Sequence, residues 1–283
     1  MEVSRVDLYA YFGLNRPEGA QGYLNVYKHH DTAEFSAKQT RPAMLVIAGG
    51  GYGFVSDREK EPVAMSYLSK SYNAFTLDYS VYPIKFPYQL LEGCMAVAYI
   101  RENAQSLCVL PDKVAAVGFS AGGHLCGMLA TLYLDQAVKT ALGKKAEICR
   151  PDAVILSYPV ITSGEFAHRG SADSLSGGDK EILKKIALEN QVAKDSSPAF
   201  IWCTADDGLV PCENSLMMAS AYKRAGVPFE LHIFESGPHG LSVADSETAT
   251  YDDNLVNPHV AHWVELSIEW LNSRGFKIKL EKR

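Results

Sequence analysis

Five short segments of the chain are apolar at nearly every position: Met44–Ile47, Ala74–Leu77, Val114–Val117, Ala153–Leu156 and Ala199–Cys203. Strands of that kind are buried on both faces, which calls for helices on both sides of a parallel sheet. A further strand is predicted over Phe229–Ile233. Between the strands lie longer stretches with apolar residues at helical spacing. They predict helices over about Tyr88 to Ala104 (Leu91, Met95, Val97, Ile100), Ala121 to Tyr133, Cys212 to Ala225 and His259 to Asn272. This alternation predicts an α/β fold, a mostly parallel sheet with helices on both faces, as one domain over residues 1–283. Val6–Tyr11 and Tyr23–Lys28 alternate apolar and polar residues and predict an antiparallel edge. Residues 164–194 are polar and Gly/Ser-rich, then helical over Lys180–Glu189, and predict a small cap.

The 283 residues are 47% hydrophobic, enough for a large core, and no apolar run is long enough to span a bilayer. The first residues show no basic segment followed by an apolar one, so no signal peptide is expected and a cytoplasmic location is. A net charge of -6 without a Lys/Arg block argues against a nucleic-acid surface. The six cysteines form no C-x-x-C pair, and five sit among apolar neighbours; they are expected to be reduced core residues.

In a parallel sheet the strand C-termini share one rim, where ligands bind. Four junctions there carry candidate chemistry. Gly118-Phe119-Ser120-Ala121-Gly122 is a G-x-S-x-G turn between a strand and a helix, which would project the Ser120 hydroxyl from the rim as a nucleophile. The Ala121 N–H, at the helix N-terminus, could then donate to a developing oxyanion. Ala48-Gly49-Gly50-Gly51-Tyr52-Gly53 lacks the Lys-Ser/Thr of a phosphate loop and the G-x-G-x-x-G spacing. It reads instead as the other half of an oxyanion hole, through the N–H groups of Gly50 and Gly51, with Tyr52 and Phe54 expected beside the acyl group. Ser56-Asp57-Arg58-Glu59 fits a helix capping box.

After the strand at Ala199, Asp206 and Asp207 both offer a carboxylate to orient a histidine. Asp207 is preferred, because it precedes a Gly-Leu-Val segment that re-enters a helix, and Asp206 is expected to brace the loop. His239, between Pro238 and Gly240 after the last strand, is poorly placed for core packing and well placed as a general base. His124 reads as a packed helix residue. His29 and His30 read as surface residues. His168, His232, His259 and His262 show no metal-ligand spacing, so no metal site is expected.

The chain order Ser120, Asp207, His239 is that of the α/β-hydrolases. With Ala48–Tyr52, Ser56–Glu59, Gly118–Leu125, Tyr158–Ile161, Thr204–Asp207 and His239–Leu241, the chain from about Ala43 to Leu271 resembles the bacterial α/β-hydrolase esterases of the acetylesterase and acetylxylan esterase type. The resemblance implies a serine carboxylesterase for short acyl groups, often acetylated sugars, working without a cofactor. It implies Ser120, Asp207 and His239 as the triad and Gly50, Gly51 and Ala121 as oxyanion donors. One departure is Ala48, which stands where the hormone-sensitive-lipase-like branch begins its loop with His. The expected partner is a small-molecule ester, with neither nucleic acid nor membrane; a homo-oligomer is compatible with the sequence. A serine peptidase or amidase of the same fold, and a non-catalytic binding protein on it, are the alternatives.

Overall fold

The computed structural model describes residues 1–32, 34–35, 37–251 and 254–282. Its strands are β1 (Glu2–Asp7), β2 (Tyr23–Lys28), β3 (Ala37–Ile47), β4 (Asn73–Asp78), β5 (Val109–Phe119), β6 (Ala153–Ser157), β7 (Ala199–Thr204), β8 (Phe229–Phe234) and β9 (Lys279–Lys282). The helices are α1 (Leu8–Phe12), α2 (Glu61–Ser69), α3 (Tyr88–Glu102), α4 (Ala121–Thr131), α5 (Gln136–Leu142), α6 (Arg169–Ser176), α7 (Lys180–Lys185), α8 (Glu213–Ala225) and α9 (Trp263–Ser273). The strand order is β1-β2-β4-β3-β5-β6-β7-β8, with β9 pairing the outer half of β3. The six strands from β4 to β8 in that order are parallel, while β1 and β2 form the expected antiparallel edge. This is the open, mostly parallel architecture that the apolar pattern predicts.

The two-residue period of a strand explains the layering. On β3, Ala43, Leu45 and Ile47 enter one core while Met44 and Val46 enter another. On β5, Val114 and Ala116 face the first core and Ala115 and Val117 the second; on β7, Ile201 and Trp202 divide in the same way. Leu90, Met95, Leu125, Leu129 and Tyr222, from α3, α4 and α8, close the first layer. Val63 and Tyr67 of α2 and Trp263, Ile268 and Leu271 of α9 close the second. Every central strand is covered on both sides, which is why its sequence is apolar throughout.

Several elements differ from the expectation. Val6–Tyr11 is not one strand: the Asp7 carboxylate accepts from Ala10 N–H at 3.0 Å and starts α1, so pairing stops at Asp7. The cap segment holds α6, absent from the pattern, and α7 ends at Lys185, short of Glu189. Four cysteines are buried, while Cys108 and Cys212 are partly exposed, and all six are free. Among the described residues no helix is long and apolar enough to cross a membrane.

Candidate active site

Four loops at the carboxyl rim of the parallel strands meet in one cleft of about 270 Å³, whose walls include Gly50, Gly51, Phe54, Ser120, His168 and His239. The turn after β5 is built by close approach. A Cβ on Gly122 would collide with the carbonyl oxygens of Ile47 and Ala48, and one on Gly118 with that of Gly122. The crowding forces Ser120 to φ 53°, a strained value for a side chain other than glycine. Strain and glycines together put the Ser120 hydroxyl in the cleft at the N-terminus of α4.

The loops after β7 and β8 supply the partners. Ser120 Oγ lies 2.8 Å from His239 Nε2, and His239 Nδ1 lies 2.7 Å from Asp207 Oδ2. The other oxygen of Asp207 accepts from the N–H groups of Leu209 and Val210, both at 2.9 Å, so the carboxylate cannot swing away. The adjacent acid faces another way. Asp206 accepts from Ser236 Oγ at 2.6 Å and from Gly237 N–H at 2.8 Å, which ties down the loop carrying His239 and holds the Asp206 carboxyl below its ordinary range. The three residues read from the sequence are thus hydrogen-bonded in line, and Asp206 is the brace.

The glycine-rich loop after β3 forms the opposite wall. A Cβ on Gly49 would lie 2.8 Å from Glu59 Oε2 and 3.0 Å from Ser120 Cβ, so only glycine lets this loop come so near. Gly50 and Gly51 follow, at φ 126° and 63°. Phe54 lies on the cleft wall, well exposed. Tyr52 does not line that cleft, contrary to the expectation from its place in the chain. Its own φ of 59° turns the ring inward, where the residue is 1% exposed and its hydroxyl donates to His124 Nδ1 at 2.8 Å. His124 Nε2 donates to the Ile186 carbonyl at 2.8 Å, so His124 is a packed helix residue, and burial lowers its pKa to about 4.

Three cleft residues escaped the sequence reading. The Ser56–Glu59 capping box does not form: the Ser56 side chain makes no cap, and Glu59 is buried. Its carboxylate accepts instead from Gly49 N–H at 2.7 Å and from the Tyr158 hydroxyl at 2.6 Å. Arg58 donates to the carbonyls of Gly240 at 3.1 Å and Thr248 at 2.7 Å. His168, at the start of α6, closes the cleft from the cap. Its Nδ1 accepts from Ser171 N–H at 3.3 Å, and burial followed by the nearby His239 lowers its pKa. Local spacing signals none of these three roles: Glu59 and Arg58 bond to partners far away in the chain, and His168, although its own bond to Ser171 is local, reaches the cleft only through the fold. No group of three or more His, Cys, Asp or Glu that could hold a metal occurs among the described residues.

Fold and neighbours together define the class: the α/β-hydrolases. The chain belongs to the BD-FAE family, whose model matches residues 32–222, a span that includes Ser120 and Asp207. It is 40% identical over 231 residues to endo-1,4-beta-xylanase B of Butyrivibrio fibrisolvens, a match covering 79% of this chain and 35% of that protein. It is 29% identical over 207 residues to an acetylxylan esterase of Xylanibacter ruminicola, covering 70% of this chain and 41% of that one. The chain therefore spans less than half the length of these two relatives. Among solved structures it is similar to an acetyl ester-xyloside bifunctional hydrolase from Caldicellulosiruptor lactoaceticus, with a TM-score of 0.83, 35% identity and 97% of both chains covered.

Proposed function

We propose that the chain is a serine carboxylesterase that removes short acyl groups, acetyl above all, from acetylated sugars and xylo-oligosaccharides. The observation that carries this reading is the hydrogen-bonded line from Ser120 through His239 to Asp207, facing the glycine-rich loop across one cleft. His239 takes the Ser120 proton as the oxygen attacks the acyl carbonyl, and Asp207 stabilises the imidazolium that forms. The amides of Gly50, Gly51 and Ala121 are the donors assigned to the oxyanion. His239 then protonates the leaving alcohol, and water repeats the cycle on the acyl-enzyme. The sugar assignment draws on the acetylxylan esterase and acetyl ester-xyloside hydrolase to which the chain is similar.

The test is acetate release from acetylated xylo-oligosaccharides, run beside amino-acid anilides. Release of acetate with the anilides untouched supports the reading. Anilide turnover exceeding ester turnover would replace it with an amidase, and no turnover of either would leave a binding protein.

A further inference from the structure

We infer that Glu59 is a positioning residue of this active centre, holding the glycine-rich loop and the His239 loop in register across the cleft as an ionised carboxylate. The inference rests on the esterase reading above, since it assigns Glu59 to the same cleft. Glu59 Oε2 accepts from Gly49 N–H at 2.7 Å, immediately before the Gly50 and Gly51 amides. On the other side, the Tyr158 oxygen accepts from Ser242 N–H at 2.9 Å, so the phenol's own proton goes to Glu59 Oε1 at 2.6 Å. Both carboxylate oxygens therefore accept, and neither faces an acceptor for a proton of its own. That is a site shaped for the anion.

The same network closes around the histidine. Ser242 Oγ donates to the Arg58 carbonyl at 2.7 Å, while the Arg58 guanidinium donates to Gly240, the residue after His239. The Tyr158 ring meets the His239 ring edge-on, with centroids 5.0 Å apart. Glu59 thus reaches one wall through Gly49 and the other through Tyr158 and Ser242. The titratable and charged groups facing it are Tyr158, Arg58, His239 and Tyr79. Burial raises the Glu59 carboxyl above its ordinary range, and the bonds from Tyr158 and Gly49 and the charges of His239 and Arg58 limit that rise. Preorganised donors lose much of their effect when displaced by even 1 Å. A carboxylate that fixes both walls acts on kcat without touching the substrate.

The decisive variant is Glu59→Gln, which keeps the shape and removes the charge. Turnover of p-nitrophenyl acetate is measured per active site, titrated to completion with a serine-directed phosphonate, alongside Tyr158→Phe, the double variant and Ser120→Ala. The expected result for Glu59→Gln is a kcat lower by about 10²-fold, the scale of losing an oxyanion donor, with KM within about threefold. The acid limb of its kcat/KM profile should move to lower pH, because a neutral amide no longer favours the imidazolium. The double variant should be no worse than Glu59→Gln alone, since both break one connection. Near-normal kcat per titrated site with an unmoved acid limb, or losses that multiply in the double variant, would overturn the inference. Should Glu59→Gln be too unstable to purify, Tyr158→Phe decides alone, by a kcat loss of at least about fivefold or by none. Activity surviving in Ser120→Ala would refute the serine-esterase reading itself, which keeps the two failures apart.

Discussion

Asp206 and Asp207 are adjacent and chemically alike, yet the structure gives one to the His239 ring and the other to the loop that carries it. Asp207→Asn should lower kcat by about 10⁴-fold by favouring the wrong histidine tautomer. Asp206→Asn, which weakens two bonds to a loop, should cost less than about tenfold. Steady-state kinetics on the two purified variants rank them, and the reverse ranking would exchange their roles. The order of Ser120, Asp207 and His239 was legible because each sits where a strand ends. Tyr52 and Glu59 were not. The positive φ at Tyr52 sends a residue next to the cleft in sequence away from it in space, and Glu59 mimics a local cap while its partner Tyr158 lies 99 positions on. The glycines of the turn after β5 give a further test: Gly122→Ala should cost at least about 2 kcal/mol through overpacking, since its Cβ meets two carbonyls of β3 and the loop beyond. Denaturant melts would show it, and an unchanged midpoint would mean the turn is looser than described.

At the scale of elements, α4 shows how one helix serves both core and site. Its N-terminus carries Ser120, and one turn on His124 is held neutral between Tyr52 and Ile186. The unfolded His124 titrates near 6.5 and the folded one near 4, so between those values the unfolded chain holds more protons. Stability from this residue is complete above pH 6.5 and is lost as the pH falls toward 4. Buried Glu92, pushed up to about 7 by desolvation, acts in the opposite sense, its contribution falling as the pH rises from 4.5 to 7. The comparison of wild type with His124→Gln isolates the histidine: the variant should lose part of the acid-side slope in denaturation midpoints between pH 4 and 6.5. Parallel curves would show that His124 takes up a proton without cost. The central strands and the long helices were readable from periodicity alone. Helix α6 was not, because Arg169–Ser176 is rich in Ser and contains Gly, residues of low helix propensity. It is held by the His168 side chain at its start and by Gly177, at φ 65°, at its end.

At the scale of the whole molecule, a sheet covered on both faces gathers its loops at the carboxyl rim, where His168 at the start of α6 helps to wall a cleft of about 270 Å³. On the proposed esterase reading, the cleft holds both the acyl group and the start of the alcohol, between Phe54, Leu209 and His168. Each added CH₂ gains only about 0.8 kcal/mol on burial, while overfilling costs about 1–3 kcal/mol. kcat/KM for p-nitrophenyl esters should therefore peak at acetyl or propionyl and fall at least tenfold, about 1.4 kcal/mol, by octanoyl. A maximum at octanoyl or longer would point to a lipid ester instead of an acetylated sugar.

If Ser120 is the nucleophile, a covalent trap should find it. The chain is treated with a fluorophosphonate, its intact mass is measured, and the modified peptide is mapped. One adduct per chain is expected, on Ser120, with esterase activity lost in proportion and no adduct on Ser120→Ala. An adduct on any other residue, or full esterase activity in a chain labelled at Ser120, would contradict it.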